Sequence, residues 1–264
     1  MSARVIVITS GKGGVGKTTT TANIGAGLAE TGSRVLLIDT DIGLRNLDVV
    51  MGLENRIVYD LVDVVEGRCR IPQALIKDKR CSNLSLLPAA QIRDKDDVTP
   101  EQMQTLINTL KEDFDFILID CPAGIEQGFK NAIAAADEAI VITTPVVSAT
   151  RDADRIIGLL EAEDIKNPKL IVNRIRMEMV REGNMLSVED ILDILAIQLL
   201  GVVPDDESIV ISTNKGEPLV YKGDTLAAKA YKNIASRVKG EEVPFLDLNV
   251  KMGFFDKLKY VLKR

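Results

Sequence analysis

Three features of this 264-residue chain predict an α/β protein built on a single doubly wound, mostly parallel sheet of about seven or eight strands, with helices on both faces. Short β-branched runs alternate with longer helical patterns along most of the chain, the order that βαβ units produce. The short runs are continuously apolar, which is what strands covered on both faces require. Three of them, at 4–9, 33–39 and 115–120, lead straight into a glycine-rich turn or end on an acid. That places polar chemistry at strand carboxyl ends, where ligands sit in such sheets. Hydrophobic residues make up 46% of the chain but aromatics only 4%, with no Trp, so the core is expected to be Ile, Val, Leu and Ala.

The first predicted strand is 4–9, and it runs into Gly11-Lys12-Gly13-Gly14-Val15-Gly16-Lys17-Thr18. Two glycines separated by four residues, then Lys and Thr, form the phosphate-binding loop pattern. Its glycines let the backbone fold tightly, so that several N–H groups point inward at a polyphosphate. Lys17 would reach the β- and γ-phosphates, and the Thr18 hydroxyl would ligate Mg²⁺. Residues 18–30 are free of proline and read as the following helix, closed by Thr31-Gly32. Gly11, Gly13, Gly14, Val15, Gly16, Lys17, Thr18 and Thr19 are therefore the candidate nucleotide-contacting run. Lys12 has two readings, a solvated side chain or a second phosphate contact.

The second strand, 33–39, ends on Asp39. Residues 57–66 read as a helix stopped by Gly67, 83–87 as a short strand ending at Pro88, and 89–98 as a polar loop. Thr99-Pro100-Glu101-Gln102 is a capping-box start for a helix reaching about 113. Strand 115–120 ends on Asp120. Helix 128–136, strand 138–143, helix 148–163 and strand 169–173 follow. Ser187 and Asp190 open another helix as a capping box, 199–203 is a strand stopped by Pro204, and 205–214 and 225–238 are helical. The expected organisation is a phosphate-loop (P-loop) domain over 1–238, a polar linker over 239–252 and an amphipathic segment over 253–264.

Asp39 and Asp120 each close an apolar run, and a buried acid is costly unless it faces a charge. Mg²⁺ at the mouth of the loop would supply that charge; a carboxylate capping the next turn is the other reading. Asp41 lies two residues further and would reach toward the γ-phosphate. With an ordinary pKa of about 3.9 it is a weak base, so its expected role is to hold and orient the attacking water. That suffices, because phosphoryl transfer depends mostly on positioning and charge neutralisation. A solvated loop acid is the alternative.

Composition excludes several classes. With no His, the chain has no imidazole base, His-based triad or His-containing zinc site. The formal net charge of −6 argues against a surface given over wholly to nucleic acid. The three cysteines, Cys69, Cys81 and Cys121, form no Cys-x-x-Cys pair and are expected to be small buried thiols of a reduced, intracellular protein. A strand starting at residue 4 is expected to leave no room for a signal peptide. No apolar run approaches the length of about 18 residues that spans a bilayer.

In the C-terminal segment, Phe254, Phe255, Leu258, Val261 and Leu262 share one helical face, while Lys257, Lys259, Lys263 and Arg264 lie largely elsewhere. In an acidic protein this cationic amphipathic end reads as an interfacial membrane anchor, or else as a terminal helix packed on the body. The expected location is cytoplasmic and reversibly peripheral on the inner face of the cell membrane.

The Lys-Gly-Gly-Val-Gly-Lys-Thr form of the loop resembles the MinD/ParA family of ATPases. So does Ile38-Asp39-Thr40-Asp41-Ile42-Gly43-Leu44-Arg45-Asn46-Leu47-Asp48 with Met51-Gly52-Leu53, which is similar to the family's first switch. Asp120-Cys121-Pro122-Ala123-Gly124-Ile125-Glu126 is similar to its second switch, and the likeness to the branch that places the bacterial division site covers nearly the whole chain. The resemblance implies a P-loop ATPase that uses ATP and Mg²⁺ and forms an ATP-bound sandwich homodimer. In it Lys12 crosses to the phosphates of the other subunit, Lys17 and Thr18 serve their own nucleotide, and Asp41 orients water. Lys12, Lys17 and Asp41 are then the catalytic set, with Thr18, Asp39 and Asp120 around the metal. Asn173, Pro204 and Asp205 match positions that hold adenine.

The resemblance also implies partners: an anionic membrane surface, a division inhibitor (MinC-like) and a topological regulator (MinE-like), with no nucleic acid expected. The two protein partners would dock on the helix near Ser148, through Arg151, Asp152 and Asp154. Cys121 departs from the serine expected in the second switch, and no second cysteine stands at a spacing that would suit a metal cluster. A ParA-like DNA-partition ATPase, a nucleotide-gated scaffold with negligible turnover and a metal-cluster carrier are the competing readings.

Overall fold

The computed structural model describes residues 2–93 and 97–248. Its strands are β1 (Arg4–Thr9), β2 (Val35–Asp39), β3 (Ile76–Lys77), β4 (Leu84–Leu87), β5 (Phe116–Asp120), β6 (Glu138–Thr143), β7 (Lys169–Ile175) and β8 (Gln198–Pro204). They form one sheet in the order β3-β4-β2-β5-β1-β6-β7-β8. Every pairing is parallel except that of β3 with β4. The doubly wound architecture expected from the apolar runs is therefore the one observed.

Strand periodicity divides each run between two cores, which explains why the runs are apolar throughout. Val5, Val7, Leu36, Ile38, Ile117 and Ile119 face one layer. Ile6, Ile8, Val35, Leu37, Phe116 and Leu118 face the other. The second layer is covered by α1 (Lys17–Glu30) and, at the end of the chain, by a helix over Leu226–Lys239. Between them come α2 (Leu47–Met51), α3 (Leu61–Val65), α4 (Ile71–Ala74), α5 (Pro100–Leu110) and α6 (Gln127–Ala134). Next are α7 (Val147–Ala162), α8 (Met177–Arg181), α9 (Val188–Leu195) and α10 (Glu207–Asn214), and the helix at Leu226–Lys239 is α11. Helices α5, α6, α7 and α9 supply the first layer.

The helix expected over 57–66 is confined to α3. Asp60 caps it, accepting the Val62 and Asp63 amides, while Asp63 Oδ2 accepts the Asp60 amide. A capping box fixes the first turn and so excludes the residues before it. Likewise Asp206 accepts the Ser208 amide and starts α10 at Glu207, two residues later than 205. Helices α2, α4 and α8 and strand β3 were not expected from the sequence. Each has five residues or fewer, too short to show a readable period.

After α11, Gly240 adopts a left-handed conformation and the chain turns back beside the edge strand β8. Arg237 organises this return. Its guanidinium donates to the carbonyls of Leu200, Val243 and Pro244 at 2.9–3.0 Å and stacks over Phe245 at 4.1 Å. The first part of the expected linker is thus packed on the body. The anchor candidates Phe254, Phe255, Lys257, Leu258, Lys259, Val261 and Leu262 lie outside the described residues. No described helix is long and apolar enough to cross a membrane.

Candidate active site

Strand β1 is central, between β5 and β6, and delivers residues 10–16 at its carboxyl end. Gly14 and Gly16 have φ of 76° and 99°, a region L-residues enter only with strain. Close approach decides two glycines. A Cβ on Gly11 would lie 2.2 Å from the backbone oxygen of Asp152 in α7, and one on Gly16 would lie 2.4 Å from Asn173 Nδ2. The loop is therefore wedged between α7 and the end of β7. Asn173 is buried there; it donates from Nδ2 to Val15 O at 2.8 Å and accepts the Arg174 amide at 3.0 Å.

Lys17 is only 7% exposed. Its Nζ donates to Ser10 Oγ at 3.0 Å, and Ser10 Oγ donates to Lys12 O at 2.7 Å. The ammonium is thus stored within the loop, where phosphate oxygens would compete for it. No side chain caps the first amides of α1, leaving a helix N-terminus open to an anion. Lys12 is exposed, and Thr18 and Thr19 are half-buried.

Two acids meet beside this loop. Strands β2 and β5 pair so that Asp39 stands opposite Asp120, and both are almost fully buried. Asp39 Oδ1 accepts the Asp41 amide at 2.9 Å, and Oδ2 accepts the Asn46 and Leu47 amides at 3.1 Å, capping α2. Asp120 Oδ1 accepts Thr21 Oγ1 at 3.0 Å, and its backbone oxygen accepts Thr40 Oγ1 at 2.7 Å. Burial raises the pKa of both acids above the usual carboxylate range, and for Asp39 the Asp120 charge adds to it. Backbone amides oppose the rise at Asp39; Thr18, Lys17 and Thr21 oppose it at Asp120. Two buried acids held above their ordinary range are what an added cation relieves. With the Thr18 hydroxyl they make an all-oxygen donor set, which fits Mg²⁺.

Asp41 is half-buried at the start of the loop that follows β2. Of the three cysteines expected to be buried, only Cys121, next to Asp120, is so in the folded chain. Burial pushes its thiol up to about 12, so it behaves as core rather than nucleophile. The loop, Asp39, Asp41 and Asp120 therefore converge at the carboxyl ends of β1, β2 and β5. Asn173, Pro204 and Asp205 lie together at the ends of β7 and β8. There the Asp205 amide donates to Ile175 O at 3.0 Å, and its carboxylate pairs with Arg176. On α7, Arg151 and Asp154 are exposed, whereas Asp152 is half-buried with its backbone against Gly11.

Sequence reasoning missed Ser10, Thr21, Thr40 and the Arg45–Asp48 pair, in which Asp48 is wholly buried 2.9 Å from Arg45 Nε. One signal was available. Thr18-Thr19-Thr20-Thr21 opens a helix with four β-branched residues of low helix propensity, which local structure alone does not favour.

Residues 3–172 match a family described as an AAA domain. Over 245 residues the chain is 62% identical to the septum site-determining protein MinD of Synechocystis, covering 92% of this chain and 92% of that protein. A solved MinC:MinD cell division protein complex from Aquifex aeolicus superposes with a TM-score of 0.86 at 52% identity, covering 93% of this chain and 99% of that one. The septum site-determining protein MinD of Pyrococcus horikoshii, solved with Mg-ADP, superposes with a TM-score of 0.82 at 34% identity, covering 89% and 96%.

Proposed function

The chain belongs to the MinD family of cell-division ATPases, and from that premise we propose that it is an ATP-operated switch that places the division site. It is an ATPase that uses ATP and Mg²⁺. In the proposed cycle, ATP drives dimerisation and the dimer settles on the membrane through residues 253–264. There it recruits a division inhibitor (MinC-like), and a topological regulator (MinE-like) acts on it. Hydrolysis releases it to the cytoplasm. The observation that carries the catalytic part is the in-register pair Asp39 and Asp120, buried beside a stored lysine and an uncapped helix terminus.

Each side chain has a task in this reading. Lys17 exchanges Ser10 for the β- and γ-phosphate oxygens. Residues 11–19 and the first amides of α1 hold the polyphosphate. Thr18 ligates the metal, with Asp39 and Asp120 behind it. When bound, Mg²⁺ neutralises charge that develops on the phosphates. Asp41 orients the attacking water, and exposed Lys12 reaches the phosphates of the other subunit. Asn173, Pro204 and Asp205 border the adenine. The exposed Arg151 and Asp154, with Asp152 beside the loop, form the docking face, and a MinC:MinD complex in a relative supports the inhibitor as a partner.

The test is co-sedimentation with anionic liposomes under ATP, ADP or no nucleotide, for the full chain and for a deletion of residues 253–264. The full chain is expected in the pellet with ATP alone. The deletion is expected to stay in solution while still binding ATP. Equal sedimentation of the deletion would rule out the anchor.

A further inference from the structure

Thr21 lies one turn into α1, fully buried, with its hydroxyl oxygen 3.0 Å from Lys17 O and 3.0 Å from Asp120 Oδ1. A hydroxyl has one proton, so it serves one of these acceptors fully at a time. The carbonyl of Lys17 belongs to the helix ladder and has an alternative donor in the helix. The carboxylate lies in a buried setting where a lost donor is costly. Thr18 also favours the charged form of Asp120. Thr18 is the residue whose hydroxyl must turn to the metal when Mg²⁺-nucleotide enters.

We propose that Thr21 is a positioning residue for the metal-facing acid. When Mg²⁺-nucleotide enters, the Thr21 proton is committed to Asp120 Oδ1 rather than shared with Lys17 O, and this holds the carboxylate in place to face the metal. No covalent bond changes; a single O–H rotates between two acceptors. The arrangement needs no motion of α1, since both acceptors are already within reach. It also accounts for a β-branched residue buried in a helix at a point where an apolar side chain would pack as well. Groups behind metal-facing residues typically change metal affinity by about 10–100-fold when removed. The inference rests on the reading of Asp120 as the acid behind Mg²⁺.

The experiment titrates Mn²⁺ into the ADP-loaded full chain and reads free Mn²⁺ by electron paramagnetic resonance. A parallel arm measures binding of fluorescent ADP in EDTA. Thr21→Val keeps the shape and removes the hydroxyl, and Thr21→Ala is the second removal should the valine variant fail to fold. Thr21→Ser keeps the hydroxyl. The expected result is about tenfold or greater loss of Mn²⁺ affinity in Val or Ala, recovery in Ser, and unaltered ADP binding in EDTA. Parent-like Mn²⁺ affinity in Thr21→Val, no recovery in Ser, or an equal loss of ADP binding in EDTA would overturn it. Asp120→Asn separates the two claims. If it too binds Mn²⁺ like the parent, the reading of Asp120 fails. If it weakens Mn²⁺ while Thr21→Val does not, only the positioning role fails.

Discussion

Asp120 is a liability in the absence of a cation and an asset in its presence. Burial holds its pKa above the unfolded value, so the folded chain binds that proton more tightly than the unfolded chain does. Stability from this group is therefore full below the ordinary carboxylate value of about 4 and declines as pH rises through the raised folded value. Glu138 works the opposite way. Its bonds to Arg4 lower its pKa, and its contribution fades only as pH falls through that lowered range. Asp120→Asn should raise the nucleotide-free melting temperature by about 2–4 °C near pH 8, on the order of 1 kcal/mol for a chain of this size. It should flatten the melting profile between about pH 4 and 7, the span from the unfolded value to just above the folded value of about 6, and abolish extra protection by Mg²⁺ over ADP alone. Thermal melts across that span and at the higher pH check all three, and an unchanged slope would contradict the assignment. Asp39 is a poorer probe because it also accepts three backbone amides, those of Asn46 and Leu47 at the start of α2 and that of Asp41.

At the scale of elements, the phosphate loop is a part seated between α7 and β7 as much as a flexible strip of glycines. Gly11 and Gly14 separate the two roles. Gly14 needs its positive φ but has open space around it, whereas Gly11 faces backbone of Asp152. Gly11→Ala must move either the loop or α7. It is expected to cost about 1–3 kcal/mol of stability, as overpacking typically does, and to weaken nucleotide binding at least tenfold. Gly14→Asn, with an αL-tolerant residue, should cost much less. Melting and nucleotide titration of the two variants decide the matter; similar losses in both would refute the seating argument. The same contact gives α7, the candidate docking helix, a backbone connection to the phosphate loop.

For the whole molecule, the question is how weak parts add up. A 12-residue helix is marginal in water, and each basic residue near an anionic surface contributes only about 1 kcal/mol. Two such segments on one dimer act together and can gain a factor of about 10² or more. Membrane residence would then follow from dimerisation, which the exposed Lys12 is proposed to couple to ATP. Lys12→Ala is expected to bind nucleotide as a monomer and to lose both hydrolysis and liposome recruitment. Light scattering, phosphate release and sedimentation measure the three. Hydrolysis at the parent rate would remove Lys12 from its role across the dimer.

The apolar runs, the glycine spacing, Lys17 and Thr18, and the acids that close β2 and β5 were legible in the sequence, because each is a local pattern with a local cause. Continuous β-branched runs demand burial on both faces, and a tight phosphate cradle demands glycine. The short helices were not legible, because four or five residues carry no period. Nor was it legible that Asp39 stands opposite Asp120, that Asn173 holds Val15, or that Arg237 fastens 243–245 beside β8. Thr21 and Asp120 are 99 residues apart, and nothing near either one names the other. The strand–loop–helix cradle and the residue types that can hold a metal-bound polyphosphate follow from local sequence alone. Which glycines are limited by space, which acids share one buried site and which hydroxyl serves them follow from how the folded chain packs. Strand order and register bring those groups together, and they are settled by packing between distant segments.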